Sequence, residues 1–215
     1  MKIPNQNVVV KKIIDVSRHN GIIDWPKVKQ GGIKDVIIRL SMGYNAIDPK
    51  AVQNAKEAFS AGLKVSYYHF AYPDLRTGSW QGDAKQEAGY FTGLFAGGLL
   101  PNPQWLALDL EKWDEVKNID TPLTNPQFNE WVTVFLSEVK TATGTTCMIY
   151  SNKYYLDQHL PPDHQLGNYP LWISNYNKGA TPPLPRGWTK YFLWQYTSTA
   201  SVKGITGNCD MSRLG

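Results

Sequence analysis

The sequence predicts an α/β fold, an irregular TIM-like β/α barrel in which five β/α units are followed by three β-strands. Three observations carry this expectation. Short apolar runs alternate with amphipathic helical stretches over the first two thirds of the chain, the pattern of strands joined by helical crossovers. Eight apolar runs of strand length can be counted along the whole chain. Beyond Pro161 the connections become rich in Pro and Gly and lose helical period, so the last strands are joined without helices.

The expected strands are Ile13–Ser17, Val36–Ser41, Val65–Ala71, Trp105–Glu111, Thr146–Ser151, Pro170–Tyr176, Tyr191–Thr197 and Asn208–Arg213. Five helices fall between the early ones. Asp24 before Trp25-Pro26 reads as an N-cap with Pro in the first turn, and Gly31-Gly32 ends that short helix. Asp48-Pro49 opens the second, with Val52, Ala55 and Phe59 on one face and Gly62 as its stop. The third runs from about Ser79 to Phe95, with Ala84, Ala88, Phe91 and Phe95 in one stripe. Asn125-Pro126 opens the fourth, whose stripe is Phe128, Val132, Phe135 and Val139 before Gly144. A shorter fifth follows Asn152 and stops before Pro161-Pro162. The expected organisation is an N-terminal extension, 1–12, and one catalytic barrel domain, 13–215.

Composition narrows the function. With 215 residues, 42% hydrophobic and 19% charged, the chain can bury a substantial core and is neither disordered nor fibrous. Aromatics reach 13%, with eight Trp and twelve Tyr, and aromatic faces suit sugars, bases or peptides. The 22 Lys and Arg against 18 Asp and Glu give a formal net charge of +4. Their only tight groupings are Lys11/Lys12 and Lys27/Lys29, which make no stripe for a phosphate backbone, so no nucleic acid partner is expected. No run approaches the roughly 18 apolar residues needed to span a bilayer, so no membrane insertion is expected. The first twelve residues lack a signal-peptide apolar core, which implies synthesis in the cytoplasm without a visible leader. Cys147 and Cys209 can form at most one disulfide, and neither has zinc-site spacing. His159 and His164 also lack ligand spacing; no metal and no cofactor is expected.

The chemistry concentrates in Trp105-Leu106-Ala107-Leu108-Asp109-Leu110-Glu111. Strand side chains alternate faces, so Asp109 and Glu111 share one, with Cα atoms roughly 6.6 Å apart, while Leu106, Leu108 and Leu110 face the helices. The acids fall at the C-terminal end of the strand, where parallel barrels carry their active sites. Asp15 ends the first strand and Asp210 lies in the last, which a closed barrel sets beside the first. Four carboxylates at one mouth repel one another, so at least one is expected to keep its proton at neutral pH. Tyr67-Tyr68-His69-Phe70, Tyr150, Trp172, Tyr176 and Trp194-Gln195-Tyr196 add aromatic faces and amides at the same strand ends.

These segments resemble a known family. Ile14-Asp15-Val16-Ser17-Arg18-His19-Asn20-Gly21, Asp24-Trp25, Tyr68-His69-Phe70, Leu108-Asp109-Leu110-Glu111, Ile149-Tyr150-Ser151, Pro170-Leu171-Trp172-Ile173-Ser174-Asn175-Tyr176, Trp194-Gln195-Tyr196 and Val202-Lys203-Gly204-Ile205-Thr206-Gly207-Asn208-Cys209-Asp210 are similar to, and ordered as in, glycoside hydrolase family 25, the Chalaropsis-type lysozymes of bacteria and phages. The resemblance spans about Ile13 to Leu214. It implies the same irregular barrel and cleavage of the β-1,4 bond between N-acetylmuramic acid and N-acetylglucosamine in peptidoglycan. Carried over by position, it implies Glu111 as general acid and Asp15, Asp109 and Asp210 as the other catalytic acids. It further implies Arg39, Tyr68, Phe70, Tyr150, Trp172, Tyr176 and Gln195 as groups around the sugar.

One departure is visible. Where family members often carry an acid after the second strand, this chain reads Arg39-Leu40-Ser41-Met42-Gly43, without a carboxylate. The expected mechanism is substrate assistance with net retention, Asp109 stabilising the intermediate. The expected partner is the glycan strand of peptidoglycan, met by a monomer at the bacterial wall in the periplasm or outside the cell, with a phage lysis system as one route of release. The competing readings are an N-acetylglucosaminidase or chitinase-like hydrolase, and a catalytically inactive glycan-binding barrel.

Overall fold

The computed structural model describes residues 11–113, 117, 119–177 and 179–215. Among the described residues, nine strands form one sheet: β1 (Lys12–Val16), β2 (Asp35–Met42), β3 (Ala46–Ile47), β4 (Lys64–Phe70), β5 (Leu106–Asp109), β6 (Met148–Asn152), β7 (Leu171–Ser174), β8 (Leu193–Ala200) and β9 (Cys209–Leu214). The order β1-β9-β8-β7-β6-β5-β4-β2, completed by a β1–β2 pairing, closes an eight-stranded barrel, with β3 folded back on β2 as a short antiparallel hairpin. Five helices follow the early strands: α1 (Trp25–Gln30), α2 (Ala51–Ser60), α3 (Trp80–Ala96), α4 (Asn125–Thr143) and α5 (Lys153–His159). The five β/α units and three trailing strands agree with the sequence pattern. A 3-10 turn at Leu166–Asn168 is the only regular element between α5 and β7 among the described residues.

Local signals set the helix ends. Asp24, Ser79 and Asn152 side chains accept from the backbone N–H groups of Lys27, Gly82 and Tyr155 at 3.1, 3.0 and 2.9 Å. Gly144 takes φ +70° at the end of α4, a left-handed stop that suits glycine. The α4 stripe is buried as its period predicts, and Phe135 stacks on Trp131 at 5.5 Å while Phe91 of α3 lies 6.3 Å away.

Two expectations need correction. The α2 face against the sheet is Ala51, Asn54, Ala55 and Ala58, while Phe59 is exposed and Val52 only half-buried. Small residues let this helix lie close to the sheet, and the larger ring is left outside. The strand expected over Trp105–Glu111 is shorter: β5 ends at Asp109, and Leu110 and Glu111 follow outside it, Leu110 N still donating to Tyr150 O at 2.9 Å.

Strand alternation sorts the core into two layers. Ile14, Val36, Ile38, Leu40, Leu106, Leu108, Ile149 and Ile173 face outward into the layer beneath the helices. Ile13, Ile37, Ala107, Met148, Trp172 and Leu193 fill the barrel interior. Each interior residue sets the parity of what stands above it: Asp15 follows Ile13, Arg39 follows Ile37, Asp109 follows Ala107, Tyr150 follows Met148 and Gln195 follows Leu193, each by two positions. The apolar floor therefore carries a polar storey at the C-terminal ends of the parallel strands. No described helix is long and apolar enough to cross a membrane.

Candidate active site

A pocket of about 190 Å³ opens on that polar storey, lined by Asp15, Tyr68, Asp109, Glu111, Tyr150, Trp172, Tyr176, Gln195 and Asp210. The strands deliver these residues by register. Antiparallel β9 pairs Asp15 directly with Asp210, and parallel β5 and β6 pair Asp109 with Tyr150. Barrel closure brings together acids 195 positions apart in the chain.

Hydrogen bonds orient the walls. Gln195 is the hub: its Nε2 donates to both oxygens of Asp15 at 3.0 Å, and its Oε1 accepts from the hydroxyls of Tyr150 and Tyr176 at 2.9 and 2.7 Å. Trp172 donates its indole N–H to Ser212 at 3.0 Å and packs its ring against Tyr150 at 4.6 Å. Tyr68 meets the same indole edge-on at 6.4 Å. One oxygen of Asp109, Oδ1, is buried with no hydrogen-bond partner among the described residues.

Charge crowding and burial act in the same direction. Asp109 and Asp15 are 4% and 6% exposed, whereas Glu111 and Asp210 are half-buried. Burial first, then the charges of Glu111 and Asp15, push Asp109 well above the usual carboxylate range, against an opposing pull from Arg39. Burial and then Asp210 push Asp15 up likewise, while the bond from Gln195 draws it back. Burial lifts Asp210 to about 6. Burial and the crowding of acids thus both favour the protonated forms of Asp15 and Asp109.

Two residues expected around the sugar stand off the pocket lining. Arg39 belongs by parity to the inner face, but its Nε and Nη2 both lie 2.8 Å from Oδ2 of Asp48, so its charge reaches the acids only through space. Phe70 ends β4 opposite Asp109 in register and turns its ring edge-on to Tyr72 at 5.5 Å. His159 contacts Tyr155 O and Asp120, and His164 contacts Arg186 O, both away from the acidic pocket lining.

Sequence reasoning missed the supports. Asp48, noted only as a helix-start signal, accepts from Arg18 N, Arg39 Nε and Lys50 N, holding three segments at the rim. Beneath the rim, His69 bridges Ser41 Oγ through Nδ1 and Glu87 Oε2 through Nε2, both at 2.8 Å, and Glu87 also accepts from Tyr72 N at 3.1 Å. Asp83 accepts from Trp131 Nε1 at 2.8 Å and from Asp74 N at 3.2 Å. The two buried carboxyls of α3 thereby tie the loop after β4 to the helix. Helical spacing of Asp83 and Glu87 was the available signal, since i and i+4 share a face.

The comparisons with known proteins agree with this architecture. A profile described as Glycosyl hydrolases family 25 matches residues 14–205. Lysozyme M1 of Streptomyces globisporus is 28% identical over 204 residues, covering 94% of this chain and 66% of its own length. The crystal structure of the CTP1L endolysin superposes with a TM-score of 0.75 at 31% identity, over 95% of this chain and 66% of that one. A bacterial lysozyme from Streptomyces coelicolor reaches a TM-score of 0.82 at 23% identity, over 97% and 94%, which speaks to the fold. The chain thus spans just under two thirds of the length of the first two. With the profile match covering residues 14–205, most of the barrel, the chain belongs to glycosyl hydrolases family 25.

Proposed function

We propose that this protein is a peptidoglycan hydrolase, an N-acetylmuramidase that cleaves the β-1,4 bond between N-acetylmuramic acid and N-acetylglucosamine in the bacterial wall. The observation that carries the reading is the pocket in which Asp15, Asp109, Glu111 and Asp210 meet under a wall of Tyr68, Tyr150, Trp172 and Tyr176. Family membership and the names of its relatives, lysozyme and endolysin, support the same substrate.

Glycoside cleavage needs a proton on the leaving oxygen and negative charge beneath the sugar cation that develops. Glu111, past the end of β5 and partly open to the mouth, supplies the proton as general acid. The carbonyl oxygen of the substrate's 2-acetamido group attacks the anomeric carbon from the opposite face as the bond to the leaving oxygen breaks. Asp109, on the pocket lining, accepts from the acetamide N–H and stabilises the resulting cyclic cation. Water then attacks the anomeric carbon as its bond to the acetamido oxygen breaks, giving its proton to Glu111, so the 2-acetamido group and the acid are regenerated and the configuration is retained. Asp210, raised only to about 6, supplies further negative charge at neutral pH, and Asp15 is held in place by Gln195. Aromatic faces position the ring, and no cofactor takes part.

The test is digestion of purified peptidoglycan by wild type and Glu111→Gln, followed by borohydride reduction and mass spectrometry of the new ends. Muramitol ends from wild type and their loss in a folded Glu111→Gln variant are expected. Glucosaminitol ends mean that the other bond is cut, and no new ends from any wall type mean a binding barrel.

A further inference from the structure

Outside the acidic pocket, one rim of the barrel gathers a cluster that the mechanism does not use. The guanidinium of Arg76 lies 5.6, 5.7 and 5.8 Å from the ring centroids of Tyr44, Tyr72 and Trp113. These rings come from three consecutive loops, after β2, β4 and β5. Tyr72 stands two residues beyond Phe70, the register partner of Asp109, and Trp113 two residues beyond Glu111. Tyr72 and Trp113 touch at 5.1 Å, and Gly43, at φ +53°, lets the Tyr72 ring approach so closely that a Cβ there would sit 2.8 Å from it.

The cation is built in, not adventitious. Asp74 takes Arg76 N at 2.8 Å and is ion-paired with Arg76 Nε, and Asp74 is itself tied to α3 through Asp83. Exposure within the pair is uneven: the Asp74 side chain is 6% exposed and that of Arg76 50%. Solvent therefore meets the cation and not its counter-ion. With Nε engaged, the Nη1/Nη2 edge is the side on which a second carboxylate can sit bidentately, and the rings beneath favour the cation in place. The adjoining pocket holds four acids, and the inner cation, Arg39, is spent on Asp48. A carboxylate-bearing chain entering that mouth meets repulsion unless a rim cation offsets it.

We propose that Arg76, held over Tyr44, Tyr72 and Trp113, is a carboxylate-recognition site that selects acidic side groups on the glycan bound in the adjoining pocket. This rests on the peptidoglycan-hydrolase reading. The carboxylate has two possible sources, the lactyl ether of muramic acid or the peptide stem attached to it.

Three substrates separate them: intact peptidoglycan, in which the lactyl group is amidated and only the stems carry carboxylates; amidase-stripped glycan, in which the lactyl carboxylate is free; and stripped glycan methylamidated with carbodiimide, which has neither. Arg76→Gln is expected to raise KM about tenfold with kcat unchanged on whichever of the first two carries the recognised group, and to match wild type on the third. Because Arg76→Gln alone leaves Asp74 without its cation, the double variant Asp74→Asn/Arg76→Gln is measured in parallel and is expected to show the same pattern. No KM change on any substrate, or an equal change on all three in both variants, overturns the proposal while wild-type cleavage stands. A wild-type protein that cleaves none of the three instead overturns the hydrolase reading, and this site with it.

Discussion

The side-chain amide of Gln195 lies with its nitrogen 3.0 Å from each carboxylate oxygen of Asp15, a contact between β8 and β1 that spans the intervening β9. Because the amide oxygen is already taken by Tyr150 and Tyr176, the amide has one workable orientation, and three groups depend on it. Replacing it with an apolar isostere leaves a buried carboxyl and two hydroxyls without their partner. Gln195→Leu is expected to cost about 1–3 kcal/mol of stability, read as a lower urea midpoint at unchanged slope. An unchanged midpoint contradicts the hub role.

Asp109 and Glu111 are expected to separate in their effects. Glu111→Gln should lower turnover by roughly 10²–10⁴-fold with no loss of thermal stability, as removal of a proton donor does. Asp109→Asn should also lower turnover, by on the order of 10²-fold, yet gain stability relative to wild type as pH rises. Its carboxyl is raised in the folded state, so folding holds a proton there that the unfolded chain gives up, and stability drains away with increasing pH. Asparagine has no proton to lose. Melting temperatures at pH 5 and 9 decide it: a gap that does not widen toward pH 9 contradicts the electrostatic account.

The His69–Glu87 pair gives stability a shape that neither residue gives alone. Burial lowers His69 to about 3 and raises Glu87 to about 8. Between the ordinary ranges of glutamate and histidine, the unfolded chain carries an imidazolium and a carboxylate, and the folded chain carries the same single proton within a neutral pair. Proton counts match, so the pair contributes a plateau from about pH 4.5 to 6.5. Above it the unfolded histidine releases its proton while folded Glu87 keeps one until about 8. Stability then falls by on the order of 2 kcal/mol. Asp83, raised to about 7, adds to the descent below that pH. Glu87→Gln imitates the protonated acid and is expected to remove the Glu87 share of the fall between pH 6.5 and 8 in denaturant titrations; an equally steep fall in the variant contradicts the assignment.

Cys147 and Cys209 are free and buried, and burial pushes both thiols up in pKa. Neither is expected to react with an aromatic disulfide reagent while the protein is folded, and two thiols should titrate in denaturant. Fast labelling of the native protein contradicts this, as does a melting temperature that depends on reductant.

What could be read from the sequence follows from where the information is local. The α4 stripe of Phe128, Val132, Phe135 and Val139 was legible because large apolar residues at helical spacing meet the core directly. In α2 the same logic favoured Phe59 over Ala51 and Ala58, since hydrophobicity outweighs size on paper, whereas a helix lying close to a sheet needs small residues. Asp15 and Asp210 could be brought together because closure of a barrel follows from the strand count. The antiparallel course of β9 was equally available, since the eight residues between Ala200 and Cys209 are too few for a parallel crossover. The pairs Arg39–Asp48 and His69–Glu87 were not legible, because each joins side chains whose distance depends on how separate elements pack.

The reversed direction of β9 makes completion of the pocket depend on the last strand. Until Cys209–Leu214 zips between β1 and β8, Asp15 has no Asp210 opposite it, Trp172 has no Ser212 to anchor its indole, and the sheet has two open edges. A polypeptide cut ahead of this strand keeps every described helix and seven of the eight barrel staves, yet it has no finished pocket. The pocket is thus completed in one step, when the first stave captures the last, and the proposed hydrolysis is expected to be lost outright in a polypeptide truncated ahead of that stave.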